Sequence, residues 1–250
     1  MWCNISRYRR LRKEIVIMNR KIMKIAYWGA VTVFITLILC SCNSGTMRDQ
    51  RLVQLYQKAL PSVVMISGDR TTDWEEKVRG VATGFFINKE YVLTNAHVAN
   101  IIVDGTVELR LWNGDVISAK KVAVCNRNDL ALLRIDPNDV KFYDIPELSF
   151  DTVPQIGETV FVVGSPYLYY NTMTVGIFSR GTTINKDYDW LWRDCEVYFV
   201  DAGVEGGNSG SPVLDVDLGV IGIVSGYCGK MTVVIPAFNI RCFLKEYNGQ

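Results

Sequence analysis

Ser209, His97 and Asp129 are the residues of this 250-residue chain whose types could combine into nucleophilic chemistry. Ser209 lies in "VEGGNSGSPVL" (Val204–Leu214), where glycines and a proline surround the serine just before an apolar run. A serine hydroxyl is a weak nucleophile at neutral pH, so it needs a base, and the base needs a group to orient it. His97, in "YVLTNAHVAN", is the one histidine in the sequence. An imidazole, whose ordinary pKa is about 6.5, can take a hydroxyl proton during attack and return it to a leaving amine. Asp129, in "NDLALLRI", heads an apolar run. A carboxylate there could accept a hydrogen bond from the second ring nitrogen, hold the tautomer and stabilise the imidazolium. Taken singly, each residue has a plain alternative: a glycine-rich turn, a surface or core histidine, a turn aspartate.

The three are far apart in the chain, so the fold must bring them together. "RDQRLVQLYQKAL" (Arg48–Leu60) sets Leu52, Tyr56 and Ala59 at helical spacing and predicts a short amphipathic helix. After it, β-branched and aromatic runs recur between turn signals: "SVVMIS", "GFFIN", "YVLTN", "VELRLW", "VISAKKVAV" and "LALLRI". A bridge rich in Pro and Asp (Asp136–Pro154) leads to a second set: "TVFVVG", "MTVGIFS", "EVYFVD", "SPVLD", "GVIGIVS" and "MTVVIP". This pattern predicts an all-β fold of two six-stranded antiparallel barrels, about 61–136 and about 155–236, closed by a short helix over Ala237–Tyr247. His97 and Asp129 fall in the first barrel and Ser209 in the second. A cleft between the barrels would unite them.

The three residues run in the order His97, Asp129, Ser209, that of the chymotrypsin-type triad and not of the subtilisin or α/β-hydrolase triads. Around them stand "SVVMI", "GVATGFFINKEYVLTNAHV", "NDLALLRI", "IGETVFVVGSPY", "TVGIFSRG", "DAGVEGGNSGSPVLD" and "VVIPAFNIRCFL", in order over roughly residues 52–247. In these segments the chain resembles the trypsin-like serine peptidases, in particular the bacterial HtrA/Deg branch. The resemblance implies a trypsin-like peptidase domain over 51–248 that hydrolyses peptide bonds through an acyl-enzyme, with unfolded or envelope proteins as substrates and no cofactor or metal. It also implies that the backbone N–H groups of Gly207 and Ser209 bind the oxyanion of the tetrahedral intermediate, each such donor being worth about 10²–10³ in rate. Glycine at 207 permits the backbone angles this requires.

By the same resemblance Gly203, six residues before Ser209, lies at the base of the primary specificity pocket, with Ser225, Gly226 and Tyr227 as the opposite wall. None of the four is charged. A cation buried there without a partner would be disfavoured by several kcal/mol, whereas an apolar side chain gains about 1.5–3 kcal/mol from burial. Cleavage after Val, Ala or Leu is therefore expected, with the nearby acid Glu205 facing solvent. A homotrimer is among the assemblies the resemblance implies. Ser211 stands where the family often has a second glycine, and the sequence ends soon after the closing helix, so no PDZ module is expected. Two alternatives use the same fold: a catalytically silent or chaperone-like binding protein, and an esterase or transferase using the same three residues.

Lys and Arg number 27 against 26 Asp and Glu, a net charge of +1 that carries no electrostatic footprint for nucleic acid. The balance is uneven, because residues 1–24 hold Arg7, Arg9, Arg10, Arg12, Lys13, Arg20, Lys21 and Lys24 against Glu14 alone. An apolar run of roughly 15 residues, Ile25–Leu39, follows. That layout reads as an export signal over 1–42, joined by a linker at 43–50. "LCSC" (Leu39–Cys42) resembles a bacterial lipobox, which implies cleavage before Cys42, lipid attachment there, and residence in the bacterial cell envelope. An uncleaved membrane anchor and simple secretion remain alternatives. Cys125, Cys195, Cys228 and Cys242 follow the signal. Four cysteines allow three full pairings, and buried free thiols are equally open. They form no zinc pattern with the single histidine. If Cys42 is acylated, C42S is expected to shift the protein from the membrane to the soluble fraction. Mass spectrometry of the wild-type membrane fraction is then expected to yield no intact peptide spanning Leu39–Thr46.

Overall fold

Runs rich in Val, Ile, Phe and Thr fit a pleated, half-buried surface, and here they form twelve strands among the described residues. The computed structural model describes residues 18, 20, 23–32, 50–71, 77–100, 106–141, 143–146, 148–183 and 195–248. Cys42 lies outside them. The chain divides into two units, Met1–Val53 and Gln54–Gln250. In the first, residues 23–32 are helical. Among the described residues no helix is long and apolar enough to cross a membrane.

The second unit carries all the strands. β1 (Val63–Thr71), β2 (Lys77–Phe86), β3 (Tyr91–Thr94), β4 (Thr106–Arg110), β5 (Val116–Cys125) and β6 (Leu130–Ile135) close in the order β1-β2-β3-β6-β5-β4. β7 (Thr159–Gly164), β8 (Thr172–Thr183), β9 (Glu196–Val200), β10 (Pro212–Asp215), β11 (Val220–Cys228) and β12 (Met231–Pro236) close as β10-β11-β12-β9-β8-β7. Counted from β7, the second ring repeats the order of the first. Every strand pairing is antiparallel. The all-β double barrel expected from the sequence is therefore the fold. Helix α1 (Ala96–Asn100) follows β3, and helix α2 (Ala237–Asn248) closes the chain.

Side chains alternate across a strand, so a strand with both faces buried reads as a continuous apolar run. β6 is such a strand. Leu133 and Ile135 fill the first barrel with Val64, Phe86, Val92 and Leu109. Leu130 and Leu132 face the other way, into a seam shared by both barrels. The same division holds for β7, where Val160 and Val162 fill the second barrel. Phe161 and Val163 join the seam beside Phe85, Leu93, Leu214 and Ile223. Ile240 and Phe243 of α2 and Leu55 and Ala59 of the helical stretch 50–59 cover the seam. Phe161 is fully buried there. F161A is expected to lower the unfolding free energy by about 3–5 kcal/mol, to be measured as a shift of the denaturant midpoint at unchanged slope.

Candidate functional site

The register of one strand pair brings His97 to Asp129. Thr94, the last residue of β3, pairs with Ala131 near the start of β6, so the residues just after β3 lie beside those just before β6. His97 Nδ1 stands 2.9 Å from both Asp129 carboxylate oxygens. The His97 backbone N–H donates to Oδ1 at 3.0 Å. Ser225 of β11, in the other barrel, donates its hydroxyl to Oδ2 in a short hydrogen bond. Asn95 Nδ2 holds the Asp129 carbonyl at 3.0 Å, while Asn95 Oδ1 is buried with no partner among the described residues. Asp129 itself has φ 49°, a left-handed conformation that aspartate tolerates better than most residues.

Asp129 is 2 % exposed, so its charge is met by donors instead of water, while 32 % of the His97 side chain remains accessible. A carboxylate only accepts, so Nδ1 must carry the proton it shares with Asp129. In the neutral ring Nε2 is then the free acceptor. That is the state a general base requires.

Ser209 lies in the connection from β9 to β10, and one threonine ties that loop to the first barrel. The Thr83 backbone N–H donates to the Ser209 carbonyl at 2.8 Å. The Thr83 hydroxyl donates to the Gly207 carbonyl at 2.7 Å and accepts the Ser165 N–H at 3.0 Å. The next residue, Gly210, donates its N–H to Val224, which neighbours Ser225. Ser209 thus reaches the His97–Asp129 pair through shared neighbours. No side-chain hydrogen bond joins Ser209 to His97, and bonds of that kind often tighten only when substrate is present. Asn208 is buried and packs against Gly164, where an added Cβ would come within 2.4 Å of its Oδ1.

Gly207 has φ 105°, and a Cβ there would meet the Ser165 carbonyl at 2.4 Å, so only glycine fits. Two carbonyls fix the adjoining peptides. Gly206 C=O accepts from Tyr167 N–H at 2.9 Å, and Asn208 C=O accepts from Ser211 N–H at 2.9 Å. Since C=O and N–H oppose each other across a trans peptide, the Gly207 and Ser209 N–H groups point away from these partners. Neither has an acceptor among the described residues.

The expected pocket residues divide. Gly203 is exposed, with nothing within 4 Å of where a Cβ would stand. Gly226 is half-buried and Tyr227 is 60 % exposed. Ser225, expected as a pocket wall, is buried and donates its hydroxyl to Asp129. Glu205 is exposed, as expected, and accepts the Tyr167 hydroxyl at 2.9 Å. That bond holds the Tyr167 phenol above its ordinary value. Tyr167 (φ 49°), Leu168 (φ 74°) and Asn171 (φ 63°) are all left-handed, a conformation disfavoured by about 1–2 kcal/mol for a non-glycine residue. Thr83, and the bond of Ser225 to Asp129, escaped the sequence reading. Their one signal is a hydroxyl inside an otherwise apolar strand.

Cys125, Cys228 and Cys242 are free thiols, with Cys228 exposed, and the Cys195 thiol donates to the Arg127 carbonyl at 2.8 Å. Among the described residues no group of three or more His, Cys, Asp or Glu side chains is placed to hold a metal ion.

The sequence family described as the trypsin-like peptidase domain matches residues 82–223. Serine protease HTR4 of Rattus norvegicus is 31 % identical over 219 residues, which is 82 % of this chain and 44 % of that protein. Serine protease HTRA1A of Danio rerio is 32 % identical over 209 residues, 82 % of this chain and 43 % of that protein. The chain thus spans less than half the length of these relatives. The crystal structure of the serine endoprotease from Yersinia pestis superposes with a TM-score of 0.61 at 26 % identity, covering 77 % of this chain and 65 % of that one. T83V leaves the buried Gly207 C=O and Ser165 N–H without their partner. It is expected to lower stability by about 1–3 kcal/mol in a denaturant titration, with the far-UV circular dichroism of the folded state unchanged.

Proposed function

Because the chain belongs to the trypsin-like peptidase domain family, we propose that it is a serine endopeptidase that uses Ser209, His97 and Asp129. The observation that carries this reading is the bond from His97 Nδ1 to both oxygens of a buried Asp129, which leaves Nε2 to act as base. In the proposed reaction Ser209 Oγ attacks the scissile carbonyl while His97 takes its proton. Asp129 stabilises the resulting imidazolium, and the Gly207 and Ser209 N–H groups receive the oxyanion. His97 then protonates the leaving amine. Water, deprotonated by the same nitrogen, releases the acyl group from Ser209.

Gly203, Ser225, Gly226 and Tyr227 are the proposed pocket residues, and their lack of charge favours an aliphatic side chain before the cut. Unfolded or envelope proteins are the proposed substrates. Lipid attachment at Cys42 in a bacterial envelope, and assembly as a homotrimer, belong to the same proposal and rest on the sequence resemblance.

The test is digestion of an unfolded protein such as casein. Wild-type protein is expected to cleave it, mainly after Val, Ala or Leu. S209A and H97A are each expected to lose nearly all activity, and the double variant to be little worse than either, because the residues act as one unit. A wild type that binds casein without cutting it would mark a silent binding protein. Cut sites clustered after Lys or Arg would overturn the pocket assignment.

A further inference from the structure

We propose that Cys195 is a positioning residue for the His97–Asp129 pair: its thiol, reaching across from the second barrel, grips the turn that delivers Asp129. The inference rests on the proposed peptidase reading and adds a residue to it.

The turn is weakly held from within. Asn126–Asn128 form a single 3-10 turn with no buried residue, and no side chain caps its start. The Asp129 N–H closes it on the Asn126 carbonyl at 3.4 Å, long for a bond of this kind. Asp129 then takes φ 49° and ψ 46°, left-handed for a residue that is not glycine. Such a residue stays there only when its surroundings over-determine it. If the turn slackens, the Asp129 backbone relaxes and its carboxylate leaves its place 2.9 Å from His97 Nδ1.

The surroundings do not grip the turn equally. Asn100 Nδ2 donates to Asn126 Oδ1 at 2.9 Å, but that bond is exposed to water. Asn239 Nδ2 of α2 reaches Asn128 Oδ1 only at 3.5 Å. Both hold side chains of the turn and not its main chain. Cys195 and Asn95 do grip the main chain. Cys195 Sγ donates to the Arg127 carbonyl at 2.8 Å, and Asn95 Nδ2 to the Asp129 carbonyl at 3.0 Å. Asn95 belongs to the first barrel, as the turn does. Cys195 directly precedes β9 of the second barrel and is 5 % exposed. Its direction follows from strand alternation: Val197, two residues on, is buried in the same seam as Leu130. A buried thiol packs as a small apolar group and keeps one weak donor, which here is spent two residues before Asp129. Ser225 holds the Asp129 carboxylate from the second barrel, and Cys195 holds the backbone that carries it.

The test uses the full chain with a short chromogenic peptide amide ending in an aliphatic residue. C195A is expected to lower kcat about 5-fold, the worth of roughly one net hydrogen bond, with KM within about twofold. C195V keeps the bulk without the donor and should be as slow as C195A. C195S keeps a donor and should hold kcat within about twofold of wild type. A second readout does not depend on turnover. His97 is the one histidine in the sequence, so the proton it shares with Asp129 gives a single ring signal at low field in the NMR spectrum. That signal should be broadened by exchange with water in C195A and C195V, and kept in wild type and C195S, all at a temperature where circular dichroism shows them folded. A thiol that only fills space would change stability and leave both readouts of the folded protein at wild-type level. Wild-type kcat in C195A, a loss confined to KM, a C195V protein faster than C195S, or an unchanged ring signal in C195A would each overturn the role of Cys195. If the wild type neither cleaves the peptide nor is labelled at Ser209 by a fluorophosphonate, the peptidase reading falls and the role of Cys195 with it. If the wild type does either, only the role of Cys195 is at stake.

Discussion

A carboxylate taken out of water stays charged only where donors replace the water. Asp129 is almost completely buried, and its oxygens are met by the His97 ring, the His97 backbone N–H and the Ser225 hydroxyl. Much of the architecture answers that one requirement. The β3–β6 register sets the start of α1 beside the residue that precedes β6. The left-handed turn at Asp129 is held by Asn95 through its carbonyl. The third donor comes from the opposite barrel, so the docking of the two halves is part of the solvation of a single side chain.

The same docking places the glycine-rich loop. Thr83 lies in β2 of the first barrel, yet its hydroxyl and backbone N–H bond to Gly207 and Ser209, and the hydroxyl also accepts from Ser165. Behind it the apolar seam of Phe85, Leu132, Phe161 and Ile223 presses the barrels together. The seam is nonspecific in direction, as apolar burial always is. Thr83 and Ser225 supply the direction, because hydrogen bonds are satisfied in one relative placement and lost in others.

The double barrel was legible because short β-branched and aromatic runs recur between turn signals, six before the bridge and six after it. Strand ends were less legible. "GFFIN" reads as a strand, but β2 begins at Lys77, and its first residues pair with Gly68–Thr71 of β1 in a stretch with no apolar run to mark it. The meeting of His97 and Asp129 could be anticipated from their order in the chain and the boxes around them. The hydroxyls of Thr83 and Ser225 could not, since a buried Ser or Thr acquires a role only from what the fold sets across from it. Tyr167 was equally hidden. Left-handed backbone is anticipated at Gly or Asn, and a tyrosine holding it is visible only once its partners are.

The two barrels share one strand order, but the chemistry-bearing groups are split between them: imidazole and carboxylate on one, hydroxyl on the other. On the proposed reading neither half works alone, and folding of both halves is still not enough. The fraction of molecules able to react is the fraction in which the barrels are docked as well as folded. Sub-global opening costs less free energy than complete unfolding. On that reading an opening confined to the seam silences the protein while each barrel keeps its sheet. The stability that matters to such a function is that of the seam as well as that of each barrel.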